Sequence, residues 1–150
     1  MKKLWMMLAV VLCLTSCEMS SEDVIYSLKL TMLSSGFTWS GESQAKDVYA
    51  QIQDKLSTYT ATYIGDDNEW IVNITNGNYS SADKKAKARF DKAAKALDQV
   101  VSECEALIDG IPAGAGGEFE IGRSLVLSRH SPGQDDTLSE KSFTLSYPQE

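Results

Sequence analysis

The chain carries a single histidine, His130, between Arg129 and Ser131, and it is the natural first candidate for a general base. A serine nucleophile would need that imidazole oriented by a carboxylate and set beside an activated hydroxyl. No Gly-x-Ser-x-Gly turn occurs to supply one, so His130 is expected in solvent, in a loop at the end of a strand. Cys104 is the other reactive type. A thiolate needs exposure and positive neighbours, whereas Cys104 stands between Glu103 and Glu105 in the sequence's long apolar stripe and reads as a small core residue. One histidine and one such cysteine do not make a usual zinc set, and no metal or other cofactor is expected. Asp66, Asp67, Asn68 and Glu69 could gather round Ca²⁺, but EF-hand spacing is absent and these are turn-forming types.

Other clusters bear on binding. Gly114-Ala115-Gly116-Gly117 leaves a helix and enters a strand. Phosphate loops open onto a helix N-terminus instead, so this segment is expected to be a flexible connector. Lys84, Lys85, Lys87, Arg89, Lys92 and Lys95 occupy the first half of a long helix, with Glu103, Glu105 and Asp109 near its end. That order opposes the helix macrodipole. One reading is a solvated face laced by the Asp83, Lys87, Asp91, Lys95 ladder. The other is a docking face at Lys84, Lys85, Arg89 and Lys92 for an anion, a lipid phosphate or an acidic partner. Among the aromatic residues, Tyr59, Tyr63 and Trp70 fall on core positions, which leaves Trp39, in a loop, to watch.

The elements that position these residues follow from periodicity. Tyr26, Leu28, Leu30 and Met32 alternate with Ser27, Lys29 and Thr31, the period of a half-buried strand, with a helix over Glu22–Ser34 as the competing reading. Phe37 to Gly41 reads as a loop, with Ser40 a cap ahead of Glu42. Ala45, Tyr49, Ile52 and Leu56 share a helical face with Val48 beside them. Tyr59, Ala61 and Tyr63 then alternate with Thr58, Thr60 and Thr62, and Trp70, Val72 and Ile74 alternate after the turn, which predicts a β-hairpin. From about Ala82 to Asp109 the apolar positions Ala86, Phe90, Ala93, Leu97, Val100, Cys104 and Leu107 repeat without a break. Ser80 or Ser81 can cap this helix, and Gly110 with Pro112 stops it. Phe119, Ile121, Leu125 and Leu127 form a strand, Pro132-Gly133 breaks it, and Phe143, Leu145 and Tyr147 form the last. The predicted order, β-α-β-β-α-β-β, implies an α+β two-layer sandwich over residues 24–150. Its sheet is mostly antiparallel with two helices on one face, and its first six elements follow the ferredoxin-like order.

The N-terminus speaks about location. Lys2 and Lys3 precede the apolar run Leu4–Leu14, too short to cross a bilayer core, which takes about 20 residues. Leu14-Thr15-Ser16-Cys17 follows, and this segment resembles the lipobox of bacterial lipoproteins. The resemblance implies a signal peptide over residues 1–16, cleavage before Cys17, and acylation of Cys17 as a lipid anchor. Several acyl chains hold a protein on a membrane where one binds only marginally. Glu18 to Asp23 would then be a short polar tether reaching about 20 Å at most. Cys104 would be left without a disulfide partner. Asp136-Thr137-Leu138 is similar to an O-glycosylation site of exported bacterial proteins, with Thr137 the acceptor in a polar loop.

Composition bounds the rest. With 43% hydrophobic residues the chain can bury enough surface to offset its ordering entropy. Its net charge of −7, from 14 basic and 21 acidic residues, argues against a nucleic-acid partner. The expectation is a lipid-anchored module of the cell envelope, favouring the outer membrane, that binds another envelope protein or an external ligand. The alternatives are an envelope-polymer hydrolase using carboxylates scattered in sequence, recognisable only by their separation in space, and a purely structural lipoprotein.

Overall fold

Pairing on both sides decides the first element: β1 (Val24–Thr38) is a strand that buries Tyr26, Leu28 and Leu30 and exposes Lys29, so the helical alternative falls. The strand runs further than expected, taking in Phe37 and Thr38 opposite Phe119 and Glu118. The computed structural model, which describes residues 23–75 and 79–148, continues with α1 (Gln44–Tyr63), β2 (Glu69–Ile74), α2 (Tyr79–Asp109), β3 (Glu118–Ser131) and β4 (Gln134–Tyr147). Every strand pairing is antiparallel, in the order β2-β1-β3-β4. The helices pack on one face, giving the α+β two-layer sandwich read from the sequence.

The predicted hairpin is corrected. Residues 58–63 complete α1 rather than forming a strand, so the order is β-α-β-α-β-β and the ferredoxin-like analogy does not hold. The helical spacing of Ala45, Tyr49, Ile52 and Leu56 continues through Tyr59 and Tyr63, and burial along that stripe outweighs the strand preference of the threonines. The helix also satisfies their hydroxyls, since Thr60 and Thr62 donate to the carbonyls of Leu56 and Thr58 at 2.7 Å each. Tyr59 donates to the carbonyl of Ala93 at 2.8 Å, tying α1 to α2. Burial pushes its phenol well above the usual tyrosine range. The cap of α1 is Ser43, not Ser40, and its hydroxyl accepts from the Ala45 N–H at 3.2 Å.

In α2 the buried residues are Ala86, Phe90, Ala93, Leu97, Cys104 and Ile108. The expected stripe holds as far as Cys104 and then passes from Leu107 to Ile108. A straight helix drifts about 20° per heptad, and α2 is 31 residues long. It begins at Tyr79, so Ser80 and Ser81 lie in its first turn rather than capping it. Cys104 is fully buried, and burial pushes its thiol up to about 11, as suits a core residue.

Register separates the two ends of the domain. At one end Val24 lies opposite Ile74, Ile25 opposite His130, and Tyr26 donates to the Tyr79 carbonyl. At the other, Thr38 lies opposite Glu118 and Phe119 opposite Tyr147.

Candidate functional site

The Val24 end holds a groove of about 620 Å³ between β2 and the first half of α2. Period 2 in β2 turns Trp70, Val72 and Ile74 toward the helix layer, where all three are half-buried. From α2, Ser81, Ala82, Lys85, Ala86 and Arg89 line the opposite wall. The alanines are small enough to leave a gap, and the cations lie one turn apart on the same flank. Arg89 is seated over the Trp70 ring, 4.7 Å from its centroid, a cation–π contact. Tyr26 forms the floor and donates to Asp83 Oδ1 at 2.7 Å. Its hydroxyl is pushed up to about 12, first by burial and then by the Asp83 carboxylate. Arg129 fixes Asp83 from the other side, donating to it at 3.0 Å and to Asp136 of β4 at 2.8 Å. Its guanidinium holds the Asp136 carboxyl below the ordinary range.

The basic cluster therefore divides. Lys87 pairs with Asp91 at 2.9 Å, as a solvated ladder would have it. Lys85 and Arg89 line the groove and have no carboxylate partner within 4.0 Å among the described residues. Lys84 and Lys92 do not line it. At 100° per residue Lys84 points away from the buried stripe, while Lys92 lies on the Lys85 flank a turn beyond the groove.

His130 belongs to β3 rather than to a loop and has closer company than expected. Its Nε2 is 3.2 Å from Ser27 Oγ and its Nδ1 is 2.9 Å from Asp135 Oδ1. Sequence could not suggest this line of three, because the residues come from β1, β3 and β4. It lacks what acyl transfer needs. Ser27 sits in mid-strand with ladders on both sides, so its surrounding N–H groups are committed and none is left to hold an oxyanion.

The remaining candidates find structural places. Thr137 is exposed, but it lies within β4 opposite Ser128 rather than in a loop. The Pro132-Gly133 turn is tight, with Gly133 at φ +79°, so the strand resumes at once. Asp66, Asp67 and Asn68 form a turn between α1 and β2, not a hairpin turn, and Glu69 faces Lys29 at 3.9 Å. Among the described residues no three of His, Cys, Asp and Glu gather to hold a metal.

Trp39 is not free to stack on a ligand. It is stacked on Phe37 at 5.5 Å and touches Tyr49 edge-on. The glycine segment presses on it: a Cβ on Gly117, at φ +93°, would come within 2.6 Å of its ring. The expected flexible connector is a fitted lid. An open depression of about 740 Å³ lies beside this cluster, with Glu118 and Glu120 in its lining. Both carboxylates are exposed and lack the dry surroundings that general acid catalysis draws on.

The lipobox and Cys17 lie outside the described residues. No described helix is long and apolar enough to cross a membrane. Comparison with known protein families, with curated proteins and with solved structures gave no match for this chain.

Proposed function

We propose that the protein is a lipid-anchored binding module of the cell envelope, held through Cys17 and offering the β2–α2 groove to a partner. The supporting observation is placement: Val24, where β1 begins, lies opposite Ile74, whose side chain lines the groove. The tether from Glu18 to Asp23 reaches about 20 Å at most. The groove is thus held near the membrane that carries the anchor, for which the outer membrane is favoured. Its apolar walls with two convergent cations are the makings of a recognition site. The Ser27–His130–Asp135 line supports the hydrolase alternative less well, because its mid-strand serine has no free N–H groups beside it to hold an oxyanion.

The anchor is tested by Cys17→Ala. Lipid labelling should be lost and the protein should leave the membrane fraction, whereas membrane association unchanged by the substitution would refute the anchor. Protease shaving of intact cells then reports the side. Digestion while a periplasmic control survives would place the groove before external ligands, and protection would place it before periplasmic ones.

A further inference from the structure

We infer that the β2–α2 groove takes an extended acidic segment of a partner protein as an added strand, paired through its backbone to the outer edge of β2, with its carboxylates on Lys85 and Arg89. This rests on the binding reading above and is independent of the lipid anchor.

Three features of the groove converge on it. β2 is an edge strand that pairs with β1 alone, so its outer row of N–H and C=O groups has no strand partner among the described residues. Such a row is a template for another strand unless charge, proline or a bulge protects it. β2 reads Glu-Trp-Ile-Val-Asn-Ile, with no proline, and its one charge, Glu69, faces Lys29 of β1 at 3.9 Å rather than the outer edge. Ile71 is 59% exposed on the open side of the sheet, beside that edge, where an added strand would cover it. On the helix side stand Lys85 and Arg89, two cations without carboxylate partners in a chain of net charge −7.

Spacing fits as well. β2 runs from Trp70, under Arg89, toward Ile74, close to where α2 begins, so helix and strand pass each other in opposite directions. Residues four apart on a helix rise about 6 Å, and alternate residues of a strand about 6.7 Å. Two acidic side chains at alternate positions of the added strand can therefore meet the two cations. The residue between them turns to the open face beside Ile71, where a β-branched apolar side chain fits. An anionic lipid surface would satisfy Lys85 and Arg89 but leave the strand edge and Ile71 as they are, which is why the protein segment is favoured.

The test uses an end-blocked, fluorescent peptide alternating valine and glutamate, about seven residues long to match β2. It is titrated by anisotropy onto the full chain in phosphatidylcholine nanodiscs and onto the Cys17→Ala chain. Saturable binding to both is expected, whatever becomes of the anchor. Lys85→Glu with Arg89→Glu should weaken it about tenfold or more and favour a valine–lysine peptide instead, with the circular dichroism spectrum unchanged. Methylating the backbone nitrogens of one alternating set should abolish binding, and methylating the other set should not. Absence of saturable binding, indifference to both methylated sets, or an equal affinity of the charge-reversed protein would overturn the proposal. So would attachment to phosphatidylglycerol vesicles through Lys85 and Arg89 with no peptide binding, which would make the groove a membrane contact.

Discussion

At the Thr38 end of the domain Phe37, Trp39, Tyr49, Phe119 and Tyr147 touch ring to ring, whereas at the Val24 end the contacts are Tyr26–Asp83–Arg129–Asp136 and an open groove. The rings of the aromatic end pack inward, with Phe119 3% exposed and Gly117 giving the close approach that seats Trp39, while Phe37 stays 58% exposed beside the 740 Å³ depression. The other end spends side chains on charge and on small residues, Ala82 and Ala86, that leave space unfilled. One sheet runs through both, so backbone pairing does not make the difference. Residue choice does: rings stacked on one another hold the Thr38 end together, whereas the Val24 end sets two cations along an apolar groove, and the proposed binding belongs to the latter.

That contrast can be broken most forcefully at Phe119. Phe119→Ala should cost about 3–5 kcal/mol in a denaturant melt, by lost burial and the cavity left behind, while the groove keeps its ligand binding. Equal loss at both ends would mean that the domain does not divide its work this way. Gly117→Ala should follow, at about 1–3 kcal/mol for a side chain at positive φ, with further cost from the overlap with Trp39. A melt unchanged by this variant would show that the glycine segment is a loose connector after all.

The polar end should respond to acid. Asp136 has its carboxyl held below the ordinary 3.8 by Arg129, chiefly through their hydrogen bond. A depressed carboxyl contributes stability above its unfolded value and loses it as pH falls through the folded one, a window below about pH 4. Arg129→Ala should lower stability modestly at neutral pH and flatten that acid-side slope, as read from melts taken from about pH 7 down into the acid range. An unchanged slope would remove Asp136 from the account. Smallest should be the stability change in Lys85→Glu with Arg89→Glu, about 1 kcal/mol or less, because both side chains are exposed and the Arg89–Trp70 contact is the main interaction lost. A larger drop would mean that the groove cations hold the fold together.

Much of the sheet was legible because its residues alternate cleanly, as in Tyr26, Leu28 and Leu30, and the long stripe of α2 was legible for the same reason at the helical period. The segment from Thr58 to Tyr63 misled because its threonines favour strand while Tyr59 and Tyr63 continue a helical stripe, and only packing against α2 decides between the two. Lys85 and Arg89 could be named from the sequence as a candidate anion face. The turn of the helix already sets Lys84 apart, but leaving Lys92 beyond the groove depends on where β2 lies beside α2. The strand order that brings Trp70 under Arg89 is likewise absent from any local pattern. A usable hint was present all the same: Ala82 and Ala86 precede Lys85 and Arg89, respectively, by three residues, just under one helical turn, placing small side chains next to long cationic ones along a flank.

The most direct test of a binding end and a structural end is photocrosslinking in cells, with a photoreactive residue at Ser81 in the groove or at Thr38 beside the aromatic cluster. Discrete adducts from Ser81, absent from Thr38 and lost when Lys85 and Arg89 are reversed to glutamate, are the predicted result. Adducts from Thr38 with none from Ser81 would contradict it and move the binding surface to the opposite end of the domain.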